Sequence, residues 1–286
     1  MHNGSSLIGG QMSRNLRVLT LNCWNVSEPF EERMALIRSE LASEEPDVLA
    51  FQEVVVRRDG FDQGRLLLSQ GDFARVFGPA FSWDDGGAMV AHAPDGTGFG
   101  NLIASRWPVV RSTVRRLPGT EGGEPRALTA ALLASPAGLL PVVTTHLDWE
   151  LHHGHVRQRQ VLALDAFVRE WAAEGDLPPV VLGDFNAHPD SDEMRFLRGL
   201  ATLDGRSTYF QDAWEVAGAG AGHTWDDRNR FAALAWEPSR RIDYVLVGPP
   251  TPEGRGRIES ARLAFETPRR DVFASDHFGV VVDVRL

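Results

Sequence analysis

A single cysteine, Cys23, rules out an internal disulfide. Its neighbours Leu19, Leu21 and Trp24 mark it as a buried structural residue rather than a nucleophile. No run of 18 or more apolar residues occurs, so no membrane span is expected. Met1 to Asn15 is rich in Gly, Ser and Asn and has no apolar segment of the kind a secretory signal needs. It reads as a disordered leader (1–15) outside the fold. With the lone cysteine it sets the expectation of a cytoplasmic protein.

Lysine is absent. The 29 basic residues are arginines, set against 39 acidic ones, for a net charge of −10. Duplex binding draws its free energy from cations neutralising phosphates, and no basic run exists to supply it. Nucleic acid is therefore a disfavoured partner but not an excluded one, since bound cations would cancel part of the local charge. Arginine suits discrete, directional phosphate contacts, although the bias can equally follow genome composition.

What is present suits one large domain over residues 16–286, monomeric by default, with 43% hydrophobic residues to fill its core. Arg17 to Asn22 is a nearly continuous apolar strand. Phe30, Met34, Ile37 and Leu41 then recur at helical steps, closed by Pro46, and Val48 to Gln52 reads as a buried strand. This β-α-β opening predicts strands covered by helices on at least one face. Residues 61–100 read as strands with irregular loops. Further strands are expected over Asn101 to Ala104, Ala127 to Ala134 and Leu140 to Leu147, followed by a helix from about Val156 to Ala173. Val180 to Gly183 is a strand, and Ser191 caps a short helix carrying Met194, Leu197 and Leu200. Ile242 to Val247, Arg262 to Phe265 and Gly279 to Leu286 complete the set. Many strands, few helices and no long linker predict a two-sheet sandwich flanked by helices.

Five polar motifs fall where these strands end. A site that cleaves a phosphoester needs a cationic clamp, an activated water and a stabilised leaving group. Hard cations such as Mg²⁺ take carboxylate and amide oxygens. Asn22 lies in Leu-Asn-Cys-Trp-Asn, and Glu53 follows the apolar strand in Phe-Gln-Glu-Val. His146 follows Thr145 at the end of another strand. Asp184 and Asn186, two apart in Gly-Asp-Phe-Asn, face one way if extended. Asp243 sits inside the apolar Arg-Ile-Asp-Tyr-Val strand, where a carboxylate needs a partner, and Ser-Asp276-His277 precedes the last strand. An Asp holding His277 would fix its tautomer and raise its basicity. Taken singly, each motif is as well read as a turn carboxylate or a packed histidine.

In this order, the motifs resemble the endonuclease/exonuclease/phosphatase superfamily. Its members include DNase I-like nucleases, abasic-site endonucleases, neutral sphingomyelinases, inositol polyphosphate 5-phosphatases and deadenylase-type enzymes. The resemblance runs from about Val18 to Leu286, with supporting matches at Gly98 to Arg106, at Arg157 with Gln160, and at His223-Thr224-Trp225. It implies an α+β, four-layered sandwich of two mainly antiparallel sheets with helices outside. It also implies that Glu53 and Asn22 bind a divalent metal (Mg²⁺ or Mn²⁺, with Ca²⁺ as an alternative), and that Asp276 contributes from the other side. Asp184 would orient or deprotonate the attacking water, and Asn186 would hold a phosphate oxygen. Asp243 would pair with His277, which would stabilise the pentacovalent phosphorus or act as base. His146 would contact the phosphate and protonate the leaving oxygen. The Thr-His pair at this point resembles the DNase I-like and sphingomyelinase-like branches more than the abasic-site enzymes.

Two loops are candidates for substrate selection. Trp149 and Arg157 follow His146, and Trp225 and Arg228 stand among further Arg and aromatic residues able to stack a base or sugar. The bland reading of the second loop is one that packs its own tryptophans. His152, His153 and His155 read as a solvated loop in preference to a second metal site. The expectation is a metal-dependent phosphodiesterase or phosphatase acting on a small or medium phosphoester. A nuclease acting on DNA or RNA is the alternative, and an inactive binding module on the same fold a remote one.

Overall fold

Alternation along the first strand sets the layers. In β1 (Asn15–Asn22), Leu16 and Val18 join the apolar cluster between the two sheets, whereas Leu19 and Leu21 join a second cluster on the opposite face. The computed structural model describes residues 15–83, 89–90 and 95–286, so the expected leader lies outside the described residues except for Asn15, which opens β1.

After β1 come α1 (Phe30–Glu44), β2 (Val48–Val56), α2 (Gln63–Leu67), β3 (Ala74–Trp83), β4 (Met89–Val90), β5 (Gly98–Ser105) and β6 (Val109–Arg116). Then follow β7 (Ala127–Ser135), β8 (Gly138–His146), α3 (Gly154–Ala172), β9 (Val180–Asp184), α4 (Asp192–Leu197), β10 (Gln211–Asp212) and α5 (Ala213–Ala217). The last are α6 (Arg230–Ala233), β11 (Asp243–Val247), β12 (Ile258–Ala264) and β13 (Gly279–Arg285). One sheet has seven strands in the order β12-β13-β1-β2-β5-β3-β4, and the other has six in the order β10-β11-β9-β8-β7-β6. Helix α1 covers the outer face of the first through Met34 and Ile37, and α3 covers the outer face of the second through Val161, Leu164 and Val168. The result is helix, sheet, sheet, helix: the DNase I-like sandwich that the sequence predicts. Met34 and Ile37 are fully buried, and each contributes about 1.5–3 kcal/mol by leaving water.

Two parallel pairs, β1 with β2 and β8 with β9, sit at the centre of sheets whose other pairings are antiparallel. The C-terminal ends of β1, β2, β8 and β9 therefore share one edge of the sandwich with the N-terminal ends of the antiparallel β11 and β13. That edge carries every core motif singled out above.

The structure departs from expectation in local places. Strand β6 and helix α2 were not anticipated, because β6 is mostly exposed and α2 is only five residues long. Leu200 lies beyond α4 and is exposed, although Ser191 does cap that helix by accepting from the Met194 N–H. Strand β2 also runs on past Gln52, so Glu53 lies within a strand and not after one. Among the described residues, no helix is long and apolar enough to cross a membrane.

Candidate active site

Each core motif reaches the shared edge through a local device. Pairing between β2 and β5 shifts register between Phe51 and Val54, a β-bulge in which Glu53 adopts a left-handed φ of 61°. The bulge brings the Glu53 carboxylate to the cavity although its neighbours are core residues. At the end of β9, Gly183 has φ 143°, and a Cβ there would lie 2.1 Å from the Thr145 carbonyl oxygen. Only glycine allows β8 and β9 to approach so closely. Their register sets His146 beside Asp184, and the β9–β11 register sets Asp184 beside Asp243.

A cavity of about 360 Å³ opens at this edge. Its lining includes Asn22, Glu53, His146, Asp184, Asn186, Asp276 and His277. Asn22 Nδ2 donates to Glu53 Oε1 at 3.1 Å and to Asp184 Oδ2 at 3.0 Å, tying one sheet to the other. Asn25 Nδ2 donates to Glu53 Oε2 at 2.8 Å. His277 Nδ1 donates to Asp243 Oδ2 at 2.9 Å, which leaves Nε2 3.8 Å from Asp184 Oδ2. His146 Nε2 approaches the same Asp184 oxygen at 3.5 Å. The Asp243 N–H is anchored on Thr224 Oγ1 at 3.1 Å, and the Tyr244 hydroxyl donates to Ala187 O at 2.7 Å beyond Asn186.

Burial dominates the electrostatics. It pushes the Asp184 carboxyl up to about 7, with the neighbouring charge of Asp243 adding to the effect. Burial likewise pushes Asp276 up to about 7, and although His277 opposes the rise, the Glu53 carboxylate reinforces it. For His277, burial works against the charged ring, but Asp243 and Asp184 outweigh it and raise the imidazole to about 10. His146 goes the other way. Burial holds it well below its ordinary value, and the nearby Arg126 charge lowers it further.

Asp184, Asp243 and His277 bring ligand atoms within 4.8 Å of one another, a group able to hold a metal ion. His277 Nδ1 is already committed to Asp243, so within that group Asp184 and the free Nε2 edge face the cavity. The oxygen set of Glu53, Asn22, Asp184 and Asp276 lines the same cavity and matches the preference of a hard dication for carboxylate and amide oxygens.

The remaining predicted residues separate into two groups. Trp149 and Trp225 line the cavity. Arg157 does not. It is buried, with Nε on Glu193 Oε1 at 2.8 Å and Nη1 on the carbonyls of Asp148 and Glu150, and it braces the loop after His146 from behind. Arg228 faces a different surface depression with Trp214 and His223, and it pairs with Asp226. Both corrections have the same cause: a sequence places an arginine near a motif but does not fix which way its long side chain turns. Of the three loop histidines, His153 hydrogen-bonds to Asp148 at 2.9 Å, and among the described residues they do not gather into a metal-sized group. Cys23 is fully buried, and burial pushes its thiol far up, as a structural cysteine requires.

Several residues that serve the site were not anticipated. Phe99, Glu124, Arg126, Glu237 and Arg240 line the cavity from loops and from the far strand. Arg33 on α1 is fully buried and donates to the carbonyls of Cys23, Trp24, Asn25, Ser27 and Ala274, holding the segments that carry Asn25 and Asp276. Its place three residues after Phe30, on the apolar face of the helix, was the signal in the sequence for a buried role.

Comparison with known proteins agrees with this geometry. Over 313 aligned residues, the chain is 26% identical to Nocturnin of Drosophila melanogaster, covering 93% of this chain but only 44% of that one, so it spans less than half of that relative. TDP2 of C. elegans superposes with a TM-score of 0.73 at 20% identity, covering 95% of this chain and 75% of that one. An endonuclease/exonuclease/phosphatase of Bacteroides vulgatus superposes with the same score and identity, covering 96% and 99%. The sequence model of the Endonuclease/Exonuclease/phosphatase family matches residues 19–277, and the chain belongs to that family.

Proposed function

We propose that the chain is a divalent-metal-dependent hydrolase of phosphoesters, acting on a small or medium substrate with Mg²⁺ or Mn²⁺. The observation that carries this reading is the meeting of Glu53, Asp184, Asp276 and the Asp243–His277 pair on one cavity of about 360 Å³. That volume lies in the range of small-molecule sites. Glu53, Asn22 and Asp276 would hold the dication, with Asp184 at its edge. Once bound, it would polarise a phosphoryl oxygen and acidify the attacking water.

The protein's own groups supply the rest. Asp184, ionised beside the dication and oriented by the Asn22 amide, would take the proton of the attacking water. The new P–O bond forms as the ester P–O bond opposite it breaks, and the leaving oxygen departs as an alkoxide that takes its proton from solvent. His277, kept charged by Asp243, faces the charge that builds on phosphorus. Asn186 donates one Nδ2 hydrogen to Leu147 O and has the other available for a phosphate oxygen. Burial favours the neutral form of His146, which supports reading it as a hydrogen-bond donor to the phosphate.

A second reading, a nuclease on short single strands, is favoured by Trp149, half exposed at the cavity and able to stack a base. The net charge of −10 weighs against long duplexes. A substrate panel with Mg²⁺, Mn²⁺ and EDTA separates the two: a chromogenic phosphodiester, nucleotides, sugar phosphates, sphingomyelin, RNA and plasmid DNA. Turnover of small esters with none of the nucleic acids supports the first reading, the reverse supports the second, and no turnover of any phosphoester sinks both.

A further inference from the structure

Pairing between β1 and β2 stops at Asn22 with Gln52, but β2 runs on to Val56. The residues past Gln52 keep β5 on one side, and among the described residues no strand pairs with them on the other. A buried main-chain N–H in this stretch needs an acceptor from elsewhere. The chain supplies one by turning back at once. The Arg57 N–H donates to Phe61 O at 2.9 Å, Val56 bridges Asp62, and Asp62 caps α2 by accepting from the Arg65 N–H. This return sets Gln63, the first residue of α2, beside β2.

Gln63 is fully buried, and its amide reaches in two directions. Oε1 accepts from the Val55 N–H at 3.0 Å, just past Glu53 and on the far side of the bulge. Nε2 donates to the Asn25 carbonyl at 2.7 Å. Asn25 has a left-handed φ of 37° and follows Trp24 at 53°. Such residues persist only where their surroundings over-determine them, and Arg33 Nη2 also donates to the Asn25 carbonyl, at 3.0 Å. The Asn25 side chain in turn donates to Glu53 Oε2 at 2.8 Å. One buried amide thus ties the backbone that projects Glu53 to the turn whose side chain orients it. Gln63 itself does not line the cavity.

We infer that Gln63 is a positioning residue for Glu53, acting through the bulge and through Asn25 to fix where the carboxylate meets a dication. The role rests on the assignment of Glu53 to the metal in the proposed function. Packing alone does not call for an amide here. Cys23 Sγ and Met34 Sδ lie 3.5 and 3.9 Å from Nε2, and a methionine would fill the same volume. Only a group that accepts at one atom and donates at another joins Val55 to Asn25. Carboxylates that ligate metals are oriented by such outer hydrogen bonds, whose loss costs about 10–100-fold in affinity.

The test measures the Kd of Mn²⁺ by calorimetry, together with Tm, for wild type, Gln63→Met, Asn25→Gly and Leu67→Ala. Gln63→Met keeps the volume and removes both hydrogen bonds. Asn25→Gly tolerates the left-handed φ and removes only the amide that holds Glu53. Leu67→Ala loosens α2 through its buried cluster and leaves the Asn25–Glu53 hydrogen bond in place. Gln63→Met and Asn25→Gly are each expected to raise the Mn²⁺ Kd by about tenfold or more. Leu67→Ala is expected to lower Tm at a wild-type Kd. Wild-type Mn²⁺ affinity in Gln63→Met, or a Kd raised as much in Leu67→Ala, makes Gln63 a structural residue of α2 and overturns the role. If Gln63→Met does not fold, Asn25→Gly carries the test: a tenfold rise supports the role and a wild-type Kd overturns it. A wild type that binds no Mn²⁺ overturns it together with the metal assignment of Glu53. Where wild type binds Mn²⁺ but turns over no ester, the phosphoesterase reading alone fails, and the Kd values still decide Gln63.

Discussion

Asn22 at the end of β1 donates an amide hydrogen to Asp184 at the end of β9, 3.0 Å away across the two sheets of the sandwich. The same nitrogen also reaches Glu53, so one neutral side chain sets the spacing of two carboxylates. Asn22→Ala removes both hydrogen bonds and lets those carboxylates drift. We expect kcat/KM to fall about 10–100-fold, with a far smaller change in Tm. Steady-state kinetics beside thermal melting decide it, and a large Tm loss at near-normal kcat/KM would refute this role.

Arg157 makes the opposite prediction. Its guanidinium is spent on Glu193 and on loop carbonyls behind the cavity, so it serves the fold and not the substrate. Arg157→Ala strands a buried Glu193 and is expected to cost about 3–5 kcal/mol of stability. KM at a temperature where the variant remains folded should match wild type. A stable variant with a raised KM would return Arg157 to the pocket.

Gly183 tests the backbone that delivers Asp184. An added methyl would meet the Thr145 carbonyl at 2.1 Å, at a φ of 143° that side-chain-bearing residues rarely adopt. Gly183→Ala should therefore destabilise the protein by more than about 3 kcal/mol, read by chemical denaturation. A near-neutral substitution would show that β8 and β9 can separate without cost.

Metal and pH are linked through Asp184 and Asp276. Both carboxyls rise from an ordinary 3.8 to about 7 in the metal-free fold. Between those values the folded chain holds more protons than the unfolded one, so the metal-free protein loses stability as pH climbs through the window. A bound dication favours the ionised carboxylates and removes that loss. The Tm gain from saturating Mg²⁺ should thus be small at pH 5 and larger at pH 7.5. A gain that shrinks with rising pH would contradict the assignment of these carboxylates to the metal.

Legibility in the sequence followed the physics of each signal. Leu19 and Leu21 against Val18, and Met34 with Ile37, announce sheet faces and a covering helix because burial imposes the periods of strand and helix. Asp184 and Asn186, or Asp276 and His277, stand out because polar groups at the ends of apolar strands need a reason. The sequence marks Glu53 but not its place inside a strand, since a bulge is a property of pairing with β5 and leaves little trace in β2 itself. The sequence does not show that Arg126 lines the cavity while Arg157 and Arg228 turn away from it, because the direction of a long side chain is decided by partners distant in sequence. For Arg157 that partner is Glu193, 36 residues away.

The most direct measurement is hydrolysis of a chromogenic phosphodiester, together with the wider ester panel, by wild type and by Asp184→Asn. Rates are taken with Mg²⁺ or Mn²⁺ and again after EDTA. The account predicts metal-dependent turnover that EDTA abolishes, and a fall in kcat of about 10²–10⁴-fold in Asp184→Asn without loss of the fold. Turnover unaffected by EDTA, wild-type rates in Asp184→Asn, or no turnover of any phosphoester with either metal would contradict it.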